Sequence, residues 1–420
     1  MNSASLKREF IQWRRRERIE KLLFLYYQNL FPHELIYKWL NYGKGHGHFD
    51  RREFSFTLVK GAVARFQSFR DCGEWRRALL EEKPAKIDIG ALYTLDVKKK
   101  TANGFAPCEK ELVFDIDITD YDDVRYCCKG ANVCQKCWKF LAVACKILDV
   151  TLREDFGFQH LLWVFSGRRG IHCWVCDDSV RILPIEARCA IINYVQLVIG
   201  GVYMPKKVKI AEENIHHSIR RALDIIREYF IIVCIQEQDI LGTPRKMAIF
   251  LNIIEDEDLK EVQDKFFEHR CSRDRWFAFM EYIKELQDTG NLKRVHKHIV
   301  EEIMIQYLYP RLDSNVSKSV NHLLKCPFSV HADTGKIAIP FDPKDVDNFN
   351  PLKVPNVELL LNEISELKKE SFCTQKELHS PQNTRLCESL VIFQDFVSNL
   401  EKSQEGKKII PNLVPLQVRY

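Results

Sequence analysis

The stretch Glu111-Leu112-Val113-Phe114-Asp115-Ile116-Asp117-Ile118-Thr119-Asp120 decides how this chain is read. With the two-residue period of a strand, Leu112, Phe114, Ile116 and Ile118 fall on one face, and Val113, Asp115, Asp117 and Thr119 on the other. The first face is fit only for burial, so the second presents two carboxylates about two residue rises apart, roughly 6–7 Å. Two anions fixed on one strand repel each other unless a cation lies between them, and a divalent metal is the simplest candidate. An isolated Asp-x-Asp is usually a solvated strand face. The metal reading therefore requires the rest of the chain to supply the other parts of a metal–phosphate site.

Downstream, Leu161 to Phe165, Ser166-Gly167-Arg168-Arg169-Gly170 and Ile171 to Cys176 read as strand, turn and strand. Glycines let backbone N–H groups approach a ligand closely, and the two arginines offer forks matched to phosphate oxygens. His172 opens the return strand on the face opposite Ile171, Cys173 and Val175. A polar glycine turn needs no function, but two arginines and a histidine converging on one point to an anion site. Between the two stretches, Cys127, Cys128, Cys134 and Cys137 fall within eleven residues. Cys134-x-x-Cys137 lets two thiolates meet on one ion, and the adjacent pair supplies two more. This would be a closed, structural zinc knuckle rather than a catalytic one. The alternative is a set of buried thiols ahead of a helix over 138–152.

Upstream, Arg51 to Leu58 alternates like a strand, with Val63 to Phe69 as its hairpin partner and Lys86 to Tyr93 as a further strand. Arg52 and Glu53 sit at the edge of the first pair, and Asp88 interrupts an otherwise apolar pattern. Residues 94–108 read as a loop. A short amphipathic helix runs from Ile19 to near Pro32, preceded by the basic run Arg14-Arg15-Arg16-Glu17-Arg18, whose plain account is a solvated helix start. Residues 205–300 switch to charged helices, with Ile215, Ile219, Leu223, Ile226 and Phe230 at helical spacing and breaks at Thr243-Pro244 and Asp288-Thr289-Gly290. Sheet-like sequence returns at Tyr309 to Lys318, and Lys336 to Pro340 pairs back on Pro327 to His331 around a turn at Asp333-Thr334-Gly335. Two helices follow Pro355, and the end from Ser403 is expected to be mobile.

Composition sets bounds on this reading. The 420 residues are 46% hydrophobic and 29% charged, as in ordinary globular chains that divide into two or three domains. The net charge of +5 tolerates a polyanionic partner without demanding one. Fifteen cysteines, an odd number, without a secretory leader pattern predict a reducing, intracellular setting. The longest fully apolar run, Tyr229 to Ile235, is too short to span a bilayer, so no membrane association is expected.

Taken in order, these segments resemble the catalytic small subunit of archaeal and eukaryotic DNA primases, most closely the eukaryotic form. The resemblance is carried by Arg52-Glu53-Phe54-Ser55-Phe56, Lys86-Ile87-Asp88-Ile89-Gly90, Glu111 to Asp117, and Asp120-Tyr121-Asp122-Asp123-Val124-Arg125. It continues through the four cysteines, Ser166 to His172, Arg311-Leu312-Asp313, and Leu324-Lys325-x-Pro327-Phe328-Ser329-Val330-His331. It implies an α/β (α+β) primase core with mixed sheets, including an RRM-like one, a zinc knuckle at 127–137 and an inserted helical subdomain. The implied division is a basic extension over 1–18, a core over 19–204 and 305–370, a helical subdomain over 205–304, and a C-terminal helix and tail over 371–420.

The resemblance also implies roles. Asp115 and Asp117, joined by Asp313 from a distant strand, would hold two Mg²⁺ or Mn²⁺ ions. Ser166, Gly167, Arg168, Arg169, His172, His322, Lys325 and His331 would bind a triphosphate. Glu53 matches a catalytic position, and Arg65, Lys86 and Asp88 match residues lining the nucleotide site; otherwise these four support the adjacent strands. The expected activity is de novo synthesis of RNA primers from ribonucleoside triphosphates on single-stranded DNA. The expected partners are a primase large subunit with an iron–sulfur cluster and the DNA polymerase alpha complex, in the nucleus. Three rivals share parts of this pattern. A metal-dependent nuclease would use Asp-x-Asp equally well but needs no triphosphate turn. A repair-type primase-polymerase would favour deoxynucleotides. A non-catalytic, zinc-bearing nucleic-acid-binding subunit would have lost the carboxylates, and all three are present.

Overall fold

Two antiparallel sheets are what the alternating stretches build in the computed structural model of the chain, which describes residues 18–44, 47–200, 204–254, 261–370 and 381–408. The basic run over 1–17 and the end beyond 408 lie outside the described residues. The first sheet comprises β1 (Arg52–Thr57), β2 (Val63–Gln67), β3 (Lys86–Tyr93) and β4 (Pro107–Glu109) in the order β2-β1-β3-β4, with β8 (Leu324–Lys325) also paired along β3. The second comprises β5 (Leu112–Asp117), β6 (Leu161–Phe165), β7 (Gly170–Val175) and β9 (Ile339–Pro340) in the order β5-β7-β6-β9. Only two residues, Lys110 and Glu111, separate β4 from β5, so the chain steps from one sheet into the other there.

The residue types explain the layering. Phe54, Phe56, Ile87 and Ile89 turn one face of the first sheet onto Phe49, Phe69 and Trp75. Trp75 and Leu79 are the buried stripe of the Cys72–Glu82 helix, whose N-cap Asp71 accepts a hydrogen bond from the Glu74 amide at 2.8 Å. Strands β6 and β7 are buried along their whole length, as continuous apolar runs require. The Gln135–Glu154 helix packs beside them, with Trp138 against Phe165 and the Trp163 indole donating to Asp149 at 2.9 Å. Further helices occupy most of 217–308. The fold is α+β. Among the described residues, no helix is long and apolar enough to cross a membrane.

Three expectations need correction. Residues 94–108 are not all loop: Pro107–Glu109 pairs with β3 through Leu92 and Tyr93. Thr94 folds the segment back, its amide donating to the Ala106 carbonyl and its hydroxyl to that of Gly104, and a three-residue strand leaves no period to read. Asp313 does not arrive on a strand. It is the N-cap of a short helix, Ser314–Lys318, with its carboxylate accepting from the Asn315 amide at 3.1 Å. The capping chemistry of Asp-Ser-Asn outweighs the β preference of the flanking apolar residues. The end is helical past Ser403, since the Cys387–Lys408 helix continues through it. The hairpin around Asp333 forms as expected, with Ala338 donating to Ser329 at 2.9 Å and His331 to Lys336 at 2.8 Å, and its second arm runs on to the edge of β6.

Candidate active site

Strand β5 offers Asp115 and Asp117 at its exit, both half-exposed while Phe114 and Ile116 are fully buried. Pairing with β7 sets Asp115 opposite His172 and Asp117 opposite Gly170. Asp313 reaches the same place by its backbone, because its amide donates to the Asp115 carbonyl at 3.1 Å. Arg311 anchors that approach by donating to the carbonyls of Asp120 and Gln306 and to the Asp123 carboxylate. Burial, then the charges of Asp117 and Asp313, push the Asp115 carboxyl up to about 6. Asp120 rises to about 6 for the same reasons: burial first, then Asp117, Asp115 and Asp313. Four acids thus crowd one another. Their carboxylate oxygens are the donor type that suits a hard divalent cation such as Mg²⁺ or Mn²⁺, although among the described residues only the cysteine set has its ligand atoms drawn within 4.8 Å of one another.

The opposite wall is cationic. The turn after β6 is closed by Ser166, whose amide donates to the Gly170 carbonyl at 2.9 Å and whose hydroxyl accepts from the Gly170 amide at 3.0 Å. Gly167 has φ +84 and lies against the Lys336 carbonyl, so a side chain there would be both strained and crowded. Arg169 donates to Asp117 at 2.6 Å, and Arg168 to Asp333 at 3.2 Å. Lys325 on β8 donates to the Ser166 carbonyl at 3.0 Å, and burial lowers its ammonium to about 8. His172 and His331 are held to about 3, by burial first and then by Lys325, so both rings are neutral hydrogen-bonding groups. His172 Nε2 stands 3.6 Å from Asp115, and its Nδ1 is buried without a partner.

One cleft is lined by Lys86, Asp88, Asp115, Asp117, Ser166, Arg168, Arg169, Gly170, His172, His322, Lys325 and His331. The two sheets therefore bring together most of the residues singled out from the sequence. Lys86 pairs with Asp88 at 2.8 Å on the first-sheet side. Glu53 and Arg65 are not on this wall. Glu53 is fully buried, accepts from Arg65 at 3.0 Å and from the Tyr93 hydroxyl at 3.1 Å, and packs against Gly90, where a Cβ would fall 2.9 Å from its own. A roomier cavity lined by Trp138, Tyr229, Phe341 and Phe349 contains none of these groups.

The four cysteines converge, with Cys127, Cys128, Cys134 and Cys137 sulfurs all within 4.8 Å of one another. The Cys134 amide donates to the Cys137 sulfur at 3.2 Å, and Arg125 reaches the same sulfur at 3.6 Å. Four sulfurs backed by N–H donors form a set that could hold a zinc ion. Gln238, from the helical region, ties this loop down: its carbonyl oxygen accepts from the Tyr126 and Cys127 amides, and its amide donates to the Cys127 sulfur at 3.3 Å. Sequence reading missed Gln238, because a lone glutamine just past the end of a helix carries no pattern. It also gave Asp120 and Arg311 no role, although both stood inside quoted motifs.

The sequence model of the family described as DNA primase small subunit matches residues 114–343, from Phe114 on β5 to just past β9. The chain is similar to the DNA primase small subunit of Drosophila melanogaster, 39% identical with 94% of both chains covered, and to that of Schizosaccharomyces pombe, 36% identical with 91% of this chain and 90% of the relative. It is also similar, at 23% identity over 71% of its length, to the small subunit PriS of Pyrobaculum calidifontis. The matched span contains both Asp115–Asp117 and Asp313, the cysteine set and the Ser166–Gly170 turn. At this identity and coverage, the chain belongs to the DNA primase small subunit family.

Proposed function

We propose that the cleft joins ribonucleoside triphosphates on a single-stranded DNA template, forming a short RNA primer de novo and releasing pyrophosphate. The observation that carries this reading is a cleft lined by two unlike sets of groups, the Asp115 and Asp117 carboxylates and the Arg168, Arg169 and Lys325 cations, with Asp313 outside the lining but near enough for its charge to raise Asp115. Mg²⁺ or Mn²⁺ held by those three aspartates would supply Lewis-acid stabilisation of the attacking 3′-hydroxyl and of the triphosphate oxygens. Arg168, Arg169 and Lys325 bind the triphosphate and offset the charge that develops as the α-phosphoryl group is transferred. Ser166 and Gly167 keep the turn open to phosphate oxygens. Neutral His172 and His331 donate hydrogen bonds without adding charge, and His322 offers its ring at the rim. Glu53 holds Arg65 and Tyr93 beside the cleft, and Lys86 and Asp88 line its first-sheet edge.

The cysteine set takes a structural zinc ion. Residues 205–304 act as a helical subdomain on a core formed by 19–204 and 305–370, with 1–18 and 371–420 as extensions. As a small subunit, the chain works with DNA and a large primase subunit that carries the iron–sulfur cluster, and in the nucleus with the DNA polymerase alpha complex. The test is primer synthesis on poly(dT) with ATP, with the large subunit present. Product from the parent and none from Asp115→Ala is expected. Equal product from both, or none from the parent, would sink the reading, and preference for dATP would redirect it to a repair-type primase-polymerase.

A further inference from the structure

Lys110 is 1% exposed, yet no carboxylate pairs with it among the described residues. Its ammonium donates to the Ile89 carbonyl at 3.2 Å and the His322 carbonyl at 2.7 Å, and lies 6.0 Å above the centroid of the Trp174 ring. Ile89 is on β3 in the first sheet, Trp174 on β7 in the second, and His322 in the irregular segment that leads into β8. One buried cation therefore touches both sheets and the segment that brings His322 to the cleft. Its own backbone is fixed from the other side, by donation to the Arg181 carbonyl at 2.9 Å.

A buried cation satisfied only by carbonyls and a ring face is costly compared with an apolar side chain of the same length, so packing alone does not account for it. What it secures is the 319–323 segment. The other hydrogen bonds made by amides of that segment are local, from Ser319 back to the Asn315 carbonyl of the preceding helix, from Asn321 to the Ser319 hydroxyl and from His322 to the Ser319 carbonyl, and none of them reaches either sheet. His322 itself is exposed at the cleft rim. Without the ammonium, the His322 carbonyl loses its bond to the seam, and the segment is held only by its local turn and by the pairing of β8 with β3 that begins at Leu324.

We propose that Lys110 is a positioning residue that holds His322 at the nucleotide cleft from within the seam between the sheets. The inference rests on the reading of that cleft as the triphosphate site. Lys110→Met keeps the length and apolar stem while removing the donor. In primer extension on poly(dT) by the full chain with its large subunit, Lys110→Met and His322→Ala are each expected to raise KM for ATP about tenfold with kcat changed less than about threefold. Because one acts through the other, the double variant should be no worse than either single. A loss of kcat with KM unchanged, or a double variant about a hundredfold worse, would overturn the proposal. An unchanged KM in His322→Ala would overturn instead the nucleotide role of His322. Hydrogen exchange supplies a readout independent of catalysis. In Lys110→Met, faster exchange confined to 319–323 supports the tie, and faster exchange throughout β3 and β5 rejects it.

Discussion

Gly170 shows how little room single residues have in this site. A Cβ there would stand 2.7 Å from the Ile116 carbonyl oxygen, a backbone atom that cannot rotate away. Strands β5 and β7 would have to part at the pair that aligns Asp117 with the arginine turn. Gly170→Ala is expected to lower stability by about 1–3 kcal/mol in a urea titration and to slow primer extension more than tenfold. A variant as stable and active as the parent would show that the strands can yield. Glu111 is tighter still. Its carboxylate receives Arg52 at 2.8 and 3.0 Å and the Tyr42 hydroxyl at 2.6 Å, with both charged side chains fully buried. Arg52 and Tyr42 hold it down to about 2 against the upward push of burial. Glu111→Gln leaves a buried guanidinium uncompensated, and a loss of about 3–5 kcal/mol is expected by chemical denaturation.

Elements differ in how far their sequence gives them away. Strands β1, β3, β5, β6 and β7 were legible because a one-residue slip would bury their polar face, so alternation or continuous apolarity is forced. The turn at Ser166–Gly170 and the cysteine set were legible because clustered glycines, arginines and cysteines at such spacing are residue types that local sequence already brings together. Asp313 was read as a member of the site but on the wrong element, since its placement depends on a backbone bond to Asp115 that no local pattern encodes. Lys110 and Gln238 were invisible for a related reason: each satisfies backbone groups of distant segments. The knuckle yields its own prediction. Metal analysis of the purified chain should find one zinc, and Cys137→Ser should release it and lower the melting temperature. No zinc in the parent would reject the site. Gln238→Leu should cost about 2–3 kcal/mol through the unpaired Tyr126 and Cys127 amides, measured by thermal or chemical unfolding.

Over the whole molecule, buried histidines set an acid limit. Burial, ahead of nearby positive charge, lowers His33 to about 4 and His48 to about 3, while the unfolded chain titrates near 6.5. Between those values the unfolded chain binds more protons than the folded one, so stability falls as pH drops through this window. For His33 the loss approaches roughly 3 kcal/mol by pH 4. His33→Gln keeps a donor for the Tyr27 carbonyl, 2.6 Å from the ring nitrogen, and should flatten the slope of unfolding free energy between pH 6.5 and 4. An unchanged slope would exclude His33 as a source. Asp115 and Asp120, both raised, contribute with the opposite sign as pH rises toward 6, so the comparison of the two chains, not the absolute curve, carries the result.

The backbone bond from Asp313 to Asp115 also bears on the order of events during synthesis. The first two aspartates leave the ribosome long before the third, and the short helix capped by Asp313 docks on β5 only after the intervening helices have emerged. A chain cut or stalled before that point can fold much of both sheets and still lack the complete carboxylate set. If the three aspartates act together as proposed, unfinished chains stay inactive until the segment around Asp313 has emerged and docked.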